Sequence, residues 1–267
     1  MSLRIQNNIE ALGAHRSLVN TSSALQKSME RLSTGYRINR AADDAAGLGI
    51  SEKMRGQIRG LAQSQSNISG GVSLVQVAEA NLDEVHKMLQ RTRELAVQYN
   101  NGTLSAANKL AIQSEVNQLA SEVERIGTAA AFNGIKLLDG TQANVTFQVG
   151  ADDGQVIAVA LVSLGTSVPV TTFSLADTAS IANIDAAIDS VSAQRATFGA
   201  VQNRLEYANS AAGSYQENLV AAESRIRDVD MAQEMINFTK NQILSQAGMS
   251  MLSQANQSGQ GVLSLLQ

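Results

Sequence analysis

The side chains with the most scope for chemistry in this chain are two histidines, His15 and His86, and three acidic pairs, Asp43-Asp44, Asp152-Asp153 and Asp228 with Asp230. An imidazole near a carboxylate can shuttle protons or hold a metal. These histidines lie on separate helical stripes with no ligand partner four residues on, so each reads as a solvated side chain. The acidic pairs lack the twelve-residue ligand series of a calcium-binding loop, and a helix cap or turn suits each of them better. Gly259-Gln260-Gly261 has neither the third glycine nor the preceding strand of a dinucleotide site. With no cysteine there is no thiolate and no disulfide. These residues predict no catalytic centre, no cofactor and no metal site.

Charge and hydropathy remove two partner classes. A formal net charge of -4 leaves no electrostatic drive for general nucleic-acid binding. The basic residues Arg31, Arg37, Arg40, Lys53, Arg55 and Arg59 are interleaved with Glu30, Asp43, Asp44 and Glu52, the pattern of a solvated or interhelical charge network. No apolar run approaches the roughly 18 residues that would span a bilayer, so no membrane insertion is expected. Met1 to Asn8 shows no unbroken apolar stretch and no small-residue cleavage site, so a Sec-type signal is not expected either.

What remains are the elements themselves. Aromatic residues make up 3% of the chain, Trp is absent and Pro169 is the one proline, a composition suited to long helices with narrow seams. Ile5, Ile9, Leu12 and Val19, then Leu18, Leu25, Met29 and Leu32, place an apolar stripe on a front arm. Met231, Met235, Phe238, Met249 and Leu252, then Val262, Leu263, Leu265 and Leu266, place another on a back arm. Terminal segments are usually polar and frayed, so apolar stripes there call for a partner. Between the arms, coiled-coil spacing recurs through Val75, Ala78, Leu82, Val85, Leu89, Thr92 and Ala96, through Ile112, Val116, Leu119, Val123 and Ile126, and from Phe198 by way of Leu205, Ala212, Tyr215 and Leu219 to Val229.

The breaks divide these stripes. Ser33-Thr34-Gly35 ends a helix, and the fourth stripe loses phase between Val229 and Met235. Tyr99 to Thr103 reads as a turn between antiparallel helices. Val145, Phe147 and Val149 alternate as a strand, and Val156 to Val162 is its return partner. The predicted fold is mainly α: long antiparallel helices and coiled-coil terminal arms, with a small β-hairpin in the middle. Residues 1–43 and 231–267 form paired arms, and residues 44–230 form a helical core with the hairpin region near 135–180.

Several segments together resemble bacterial flagellin. They are Gly35 to Leu48, continuing through Ile50-Ser51-Glu52-Lys53-Met54-Arg55; Leu89 to Gln98; Phe132-Asn133-Gly134; Gly199 to Arg204; Glu223 to Asp230; Ile243 to Ala247; Gln254 to Gln257; and Val262 to Leu266. They occur in the family's order over about the first 140 and last 85 residues. The resemblance implies a subunit that self-assembles into the extracellular flagellar filament for swimming, exported by the flagellar type III route. It implies arms that form an inner coiled-coil layer, with Ile5, Ile9, Leu12, Leu25, Met29, Leu32, Met235, Phe238, Leu252, Leu263, Leu265 and Leu266 as the self-assembly residues.

Other partners follow from the same resemblance: an export chaperone, cap and junction proteins, and a host Toll-like receptor touching Arg91, Leu95, Gln98 and Glu115. The arms are expected to be disordered until assembly buries their stripes. The alternatives are a hook–filament junction protein, which shares the terminal architecture, and an intracellular coiled-coil binding module, which would explain the stripes alone. A filament-borne enzyme comes last, because no inserted protease domain has room here.

Overall fold

The computed structural model describes residues 8–168, 174–175 and 180–264, without the side chains of Ser167 and residues 258–264. Helices dominate it: α1 (Ile9–Thr34), α2 (Ala45–Tyr99), α3 (Ala106–Ala129), a single turn α4 (Leu164–Ser167), α5 (Ser180–Arg227) and α6 (Met231–Ser264). Four short strands, β1 (Ala131–Phe132), β2 (Ile135–Lys136), β3 (Asn144–Gln148) and β4 (Val156–Ala160), pair antiparallel as β1-β2 and β3-β4. The mainly α fold with a small β element therefore matches the sequence expectation.

Short polar side chains start the helices by accepting the backbone N–H groups that a first turn leaves unpaired. Asn8 accepts from Ala11 at 3.0 Å, Ser105 from Asn108 at 3.3 Å, and Asp44 from Gly47 at 2.8 Å. Asp230 accepts from both Ala232 and Gln233, at 2.9 and 3.1 Å. Two of the acidic pairs that invited a metal reading thus contain helix caps. Gly35 closes α1 with φ of 75°, a left-handed conformation that costs glycine nothing.

The chain divides into two compact units, Met1–Gly56 with Asn218–Gln267, and Gln57–Glu217. In the second unit the stripe from Val75 to Ala96 on α2 is buried at every predicted position. It packs with Ile112, Val116 and Val123 of α3 and with Ile184, Val191, Phe198 and Leu205 of α5. The β3-β4 hairpin has the predicted alternation, with Ile157 and Val159 inward and Val145 opposite Val159. It lies on α2 where side chains are missing: a Cβ on Gly71 would stand 3.2 Å from the Phe147 ring, and one on Gly60 would stand 3.0 Å from the Ala151 methyl.

Two details differ from the sequence reading. Asn133-Gly134 is the turn of a further, miniature hairpin, β1-β2, that the sequence reading did not include, with φ of 48° at Asn133 and 80° at Gly134, as a two-residue turn of mirror-image type requires. In α5 the seam passes from Ala212 to Gln216 and leaves Tyr215 exposed, because Gln216 accepts a 3.1 Å hydrogen bond from Gln65.

Candidate functional site

The first unit holds the two terminal helices, and its local chemistry begins at the breaks. Where α1 ends and α5 ends, the two chain segments are sewn together. Arg37 N–H donates to the Arg227 carbonyl at 2.6 Å, Val229 N–H donates to the Gly35 carbonyl at 3.0 Å, and Tyr36 and Asp228 form an antiparallel bridge. The Arg227 guanidinium lies 4.8 Å over the Tyr36 ring and reaches Glu52 at 2.6 Å. Arg227 holds the Glu52 carboxyl below its ordinary pKa, mainly through that hydrogen bond. Arg40 pairs with Glu30, Lys27 with Asp43 and Arg55 with Glu52, so much of the basic cluster is spent on ion pairs within this unit. Asp43 also accepts from the N–H groups of Arg40 and Asn39. The Arg40 bond, then Lys27, lowers its pKa.

From this stitched point α1 and α6 run antiparallel and pack on each other. The line of shielded residues on α1 is Ala11, Ala14, Leu18, Thr21, Leu25, Ser28 and Leu32; on α6 it is Glu234, Phe238, Asn241, Ser245, Gly248, Leu252 and Ala255. Both lines step by alternating threes and fours, the spacing of a coiled-coil seam. Nine of these fourteen residues are small or polar, and five are large and apolar. Most of the large apolar side chains face away: Ile9, Leu12, Val19 and Met29 on α1, and Met231, Met235, Ile236, Ile243, Leu244, Met249 and Met251 on α6 are all exposed. On α6, Met235, Ile236, Thr239, Lys240, Ile243 and Leu244 line a shallow apolar depression. Such a run of exposed apolar surface marks an interaction face.

The residues predicted for self-assembly are thereby sorted. Leu25, Leu32, Phe238 and Leu252 belong to the shielded seam, while Ile9, Leu12, Met29 and Met235 stand outside it. Ile5, Leu265 and Leu266 lie outside the described residues, as does the side chain of Leu263. The sequence reading passed over Ile236, named Ile243 and Leu244 only within a family motif, and missed the shielded seam as a whole. The three-four spacing of Ala11, Ala14, Leu18, Thr21 and Leu25 was the signal for that seam. The arms, expected to lack structure before assembly, are helices paired with each other in this structure.

The receptor set is also split. Arg91 on α2 donates to Glu115 on α3 from Nε at 3.1 Å and from Nη2 at 2.9 Å, and a third bond goes to Glu94. Gln98 is exposed on the same helix. Leu95 is only 2% exposed and belongs to the core of its unit, so it presents no contact surface. Among the described residues no group of three or more His, Asp or Glu side chains is placed to hold a metal ion. No helix among them is long and apolar enough to cross a membrane.

Paired terminal helices that leave most of their large apolar side chains exposed, in a chain with a second, helical unit, define the class as a helical subunit equipped for association through its ends. Comparison with known proteins gives the family. Residues 5–143 match the bacterial flagellin N-terminal helical region and residues 181–266 match the bacterial flagellin C-terminal helical region. The chain is 49% identical to the flagellin of Bacillus subtilis, over 99% of this chain and all of that one. It is 49% identical to the flagellin of Halalkalibacterium halodurans, covering 98% and 99% of the two chains. The crystal structure of Bacillus cereus flagellin superimposes with a TM-score of 0.52 at 30% identity, over 59% of this chain and 94% of that one. The chain belongs to the bacterial flagellin family. It is a structural subunit that polymerises into the filament of the bacterial flagellum, and a hook–filament junction role is not favoured.

Proposed function

We propose that the exposed faces of α1 and α6 are the surfaces on which neighbouring copies of this chain meet in the filament. One observation carries this reading: Leu18, Leu25, Leu32, Phe238 and Leu252 are shielded in the seam among alanine, serine, threonine, asparagine and glycine, while eleven isoleucine, leucine, valine and methionine side chains stay exposed along the arms. A lone pair of helices sorted for its own stability would not leave most of its large apolar side chains exposed, because their burial supplies most of the free energy. Ile9, Leu12, Met29 and Met235 then act between copies, and Leu25, Leu32, Phe238 and Leu252 hold the two arms of one copy together. Residues 1–43 and 231–267 form the inner layer, and residues 44–230 form the layer around it.

The arms are stabilised chiefly by assembly, since a seam of small residues offsets little of the ordering entropy. The subunit is secreted by the flagellar export route, works with an export chaperone and with cap and junction proteins, and performs no catalysis. Arg91, Gln98 and Glu115 form an exposed patch for a host Toll-like receptor, without Leu95. Deleting Ala255 to Gln267 removes the distal end of α6. It should abolish filaments, seen by electron microscopy, while circular dichroism retains most of the helix signal. Normal filaments from that truncation would overturn the assignment of α6.

A further inference from the structure

The seam between α1 and α6 raises a problem of register. Small side chains recur along both helices, so sliding one arm by a heptad, about 10.5 Å, would sacrifice little contact. Yet any slide rearranges the large residues that the arms expose together. The backbone bonds at Gly35 and Val229 fix where the two arms begin, and something other than apolar packing has to carry that alignment into the helices.

One side chain in the seam is unlike the others. Glu234, in the first turn of α6, has a side chain only 7% exposed, and its Oε2 lies 3.6 Å from Nη1 of Arg31, itself 31% exposed. A shielded carboxylate is tolerated when paired, and costs several kcal/mol when the partner is removed. Sliding α1 by a heptad would replace Arg31 with Ala24 or carry α1 past its end, leaving Glu234 alone. Lys27, one turn away, is the other cation within reach of a shorter slide, and Asp43 engages it at 3.2 Å. Glu234 therefore has one satisfactory partner at one alignment. We propose that the Arg31–Glu234 pair holds in the seam the register that those backbone bonds begin, and with it the arrangement of apolar residues offered to the next copy. This rests on the reading of the arms as the assembly surface, and makes Glu234 a positioning residue within it.

The register leaves marks far from the pair. Asn8 Nδ2 donates to the Ala255 carbonyl at 2.8 Å, and a Cβ built on Gly248 would lie 3.9 Å from the Leu18 Cβ. That separation is close to the mean for a disulfide, about 3.8 Å. The chain has no cysteine of its own. A full-length chain carrying Leu18→Cys and Gly248→Cys is thus a register gauge two heptads from Glu234.

The gauge chain is polymerised, oxidised and run on a non-reducing gel, where an intrachain bridge changes monomer mobility and an interchain bridge gives dimers. A predominantly intrachain bridge is expected. Adding Arg31→Glu should lower its yield by at least about threefold, since it strips the shielded Glu234 carboxylate of its cation and sets a like charge against it, with helix content unchanged. Combining Arg31→Glu with Glu234→Arg should restore the yield, which simple loss of helix stability would not do. An intrachain yield indifferent to Arg31→Glu, or one that the charge exchange does not restore, overturns the proposal, and so does a gauge chain that forms no intrachain bridge. Should Arg31→Glu lose its helices, Glu234→Gln decides instead: a fall in yield supports the proposal and an unchanged yield overturns it. A gauge chain that bridges correctly yet makes no filaments counts against the assembly reading and leaves the register assignment standing.

Discussion

Replacing Ile236 and Ile243 by alanine separates assembly from folding. Their side chains are 61% and 59% exposed in the single chain. Each substitution deletes three carbons, about 0.8 kcal/mol apiece when fully buried. With roughly three-fifths of that surface still to be covered by a neighbour, each change costs about 1.4 kcal/mol of association free energy. The two positions are a heptad apart, far enough for the losses to add, which gives about 2.8 kcal/mol. The critical concentration for polymerisation should therefore rise about 100-fold, at 1.4 kcal/mol per factor of ten. The free chain should not suffer, because alanine is a better helix former than isoleucine at an exposed site. Sedimentation of polymer across a concentration series measures the first quantity, and circular dichroism of the unpolymerised chain the second. A critical concentration within twofold of the parent would refute the assignment of this α6 face to subunit contacts. An equal loss of monomer helicity would refute the claim that the face is idle in the single chain.

Three other outcomes follow from the geometry. Phe198→Ala empties a fully buried site in the second unit and should cost about 3–5 kcal/mol, lowering its calorimetric midpoint by about 10 °C or more. The Asp43 pKa in the folded chain lies below its ordinary 3.8, so its stabilisation is complete above that value and is lost as pH falls through the lowered one. Asp43→Asn should then be less stable than the parent near pH 7, with the difference shrinking as pH falls below 3.8, in urea titrations across that range. Arg91→Ala breaks only exposed ion pairs, worth about 0–1 kcal/mol, so folding should be intact while receptor signalling in a reporter cell falls; undiminished signalling would remove Arg91 from the receptor patch.

The helical core was legible because its seam residues are both large and regularly spaced. Val75, Leu82, Val85 and Leu89 announce a buried face, and each is buried. Tyr215 shows the limit of that signal: it occupies a seam position by spacing, yet a glutamine pair one residue on takes the interior. Leu95 shows another. Spacing puts it on the same helical face as Arg91 and Gln98, but a helix face several residues wide crosses from solvent into the core. In the arms the large residues drew attention to themselves and hid the seam, because hydrophobicity alone does not say whether a side chain faces its own chain or the next copy. Glu234 was invisible for a related reason. An acidic residue in the first turn of a helix is ordinarily a surface residue favoured by the helix dipole, and only the approach of α1 shields it.

The stitched breaks at Gly35 and Val229 have a bearing on how such a chain tolerates insertion and deletion. Because the two segments share backbone hydrogen bonds there, α1 and α6 are both counted from one common origin. A single residue inserted in either arm beyond that origin would rotate everything distal to it by about 100°, carrying the exposed apolar residues round to the wrong side. An inserted heptad would restore the face while shifting it about 10.5 Å along the axis. The turn between β3 and β4 is under no such discipline: it closes a two-stranded hairpin on the far side of the sequence from both arms, and residues added at its tip change no helical phase. Length variation in chains of this architecture should collect at that turn and be nearly absent from the arms.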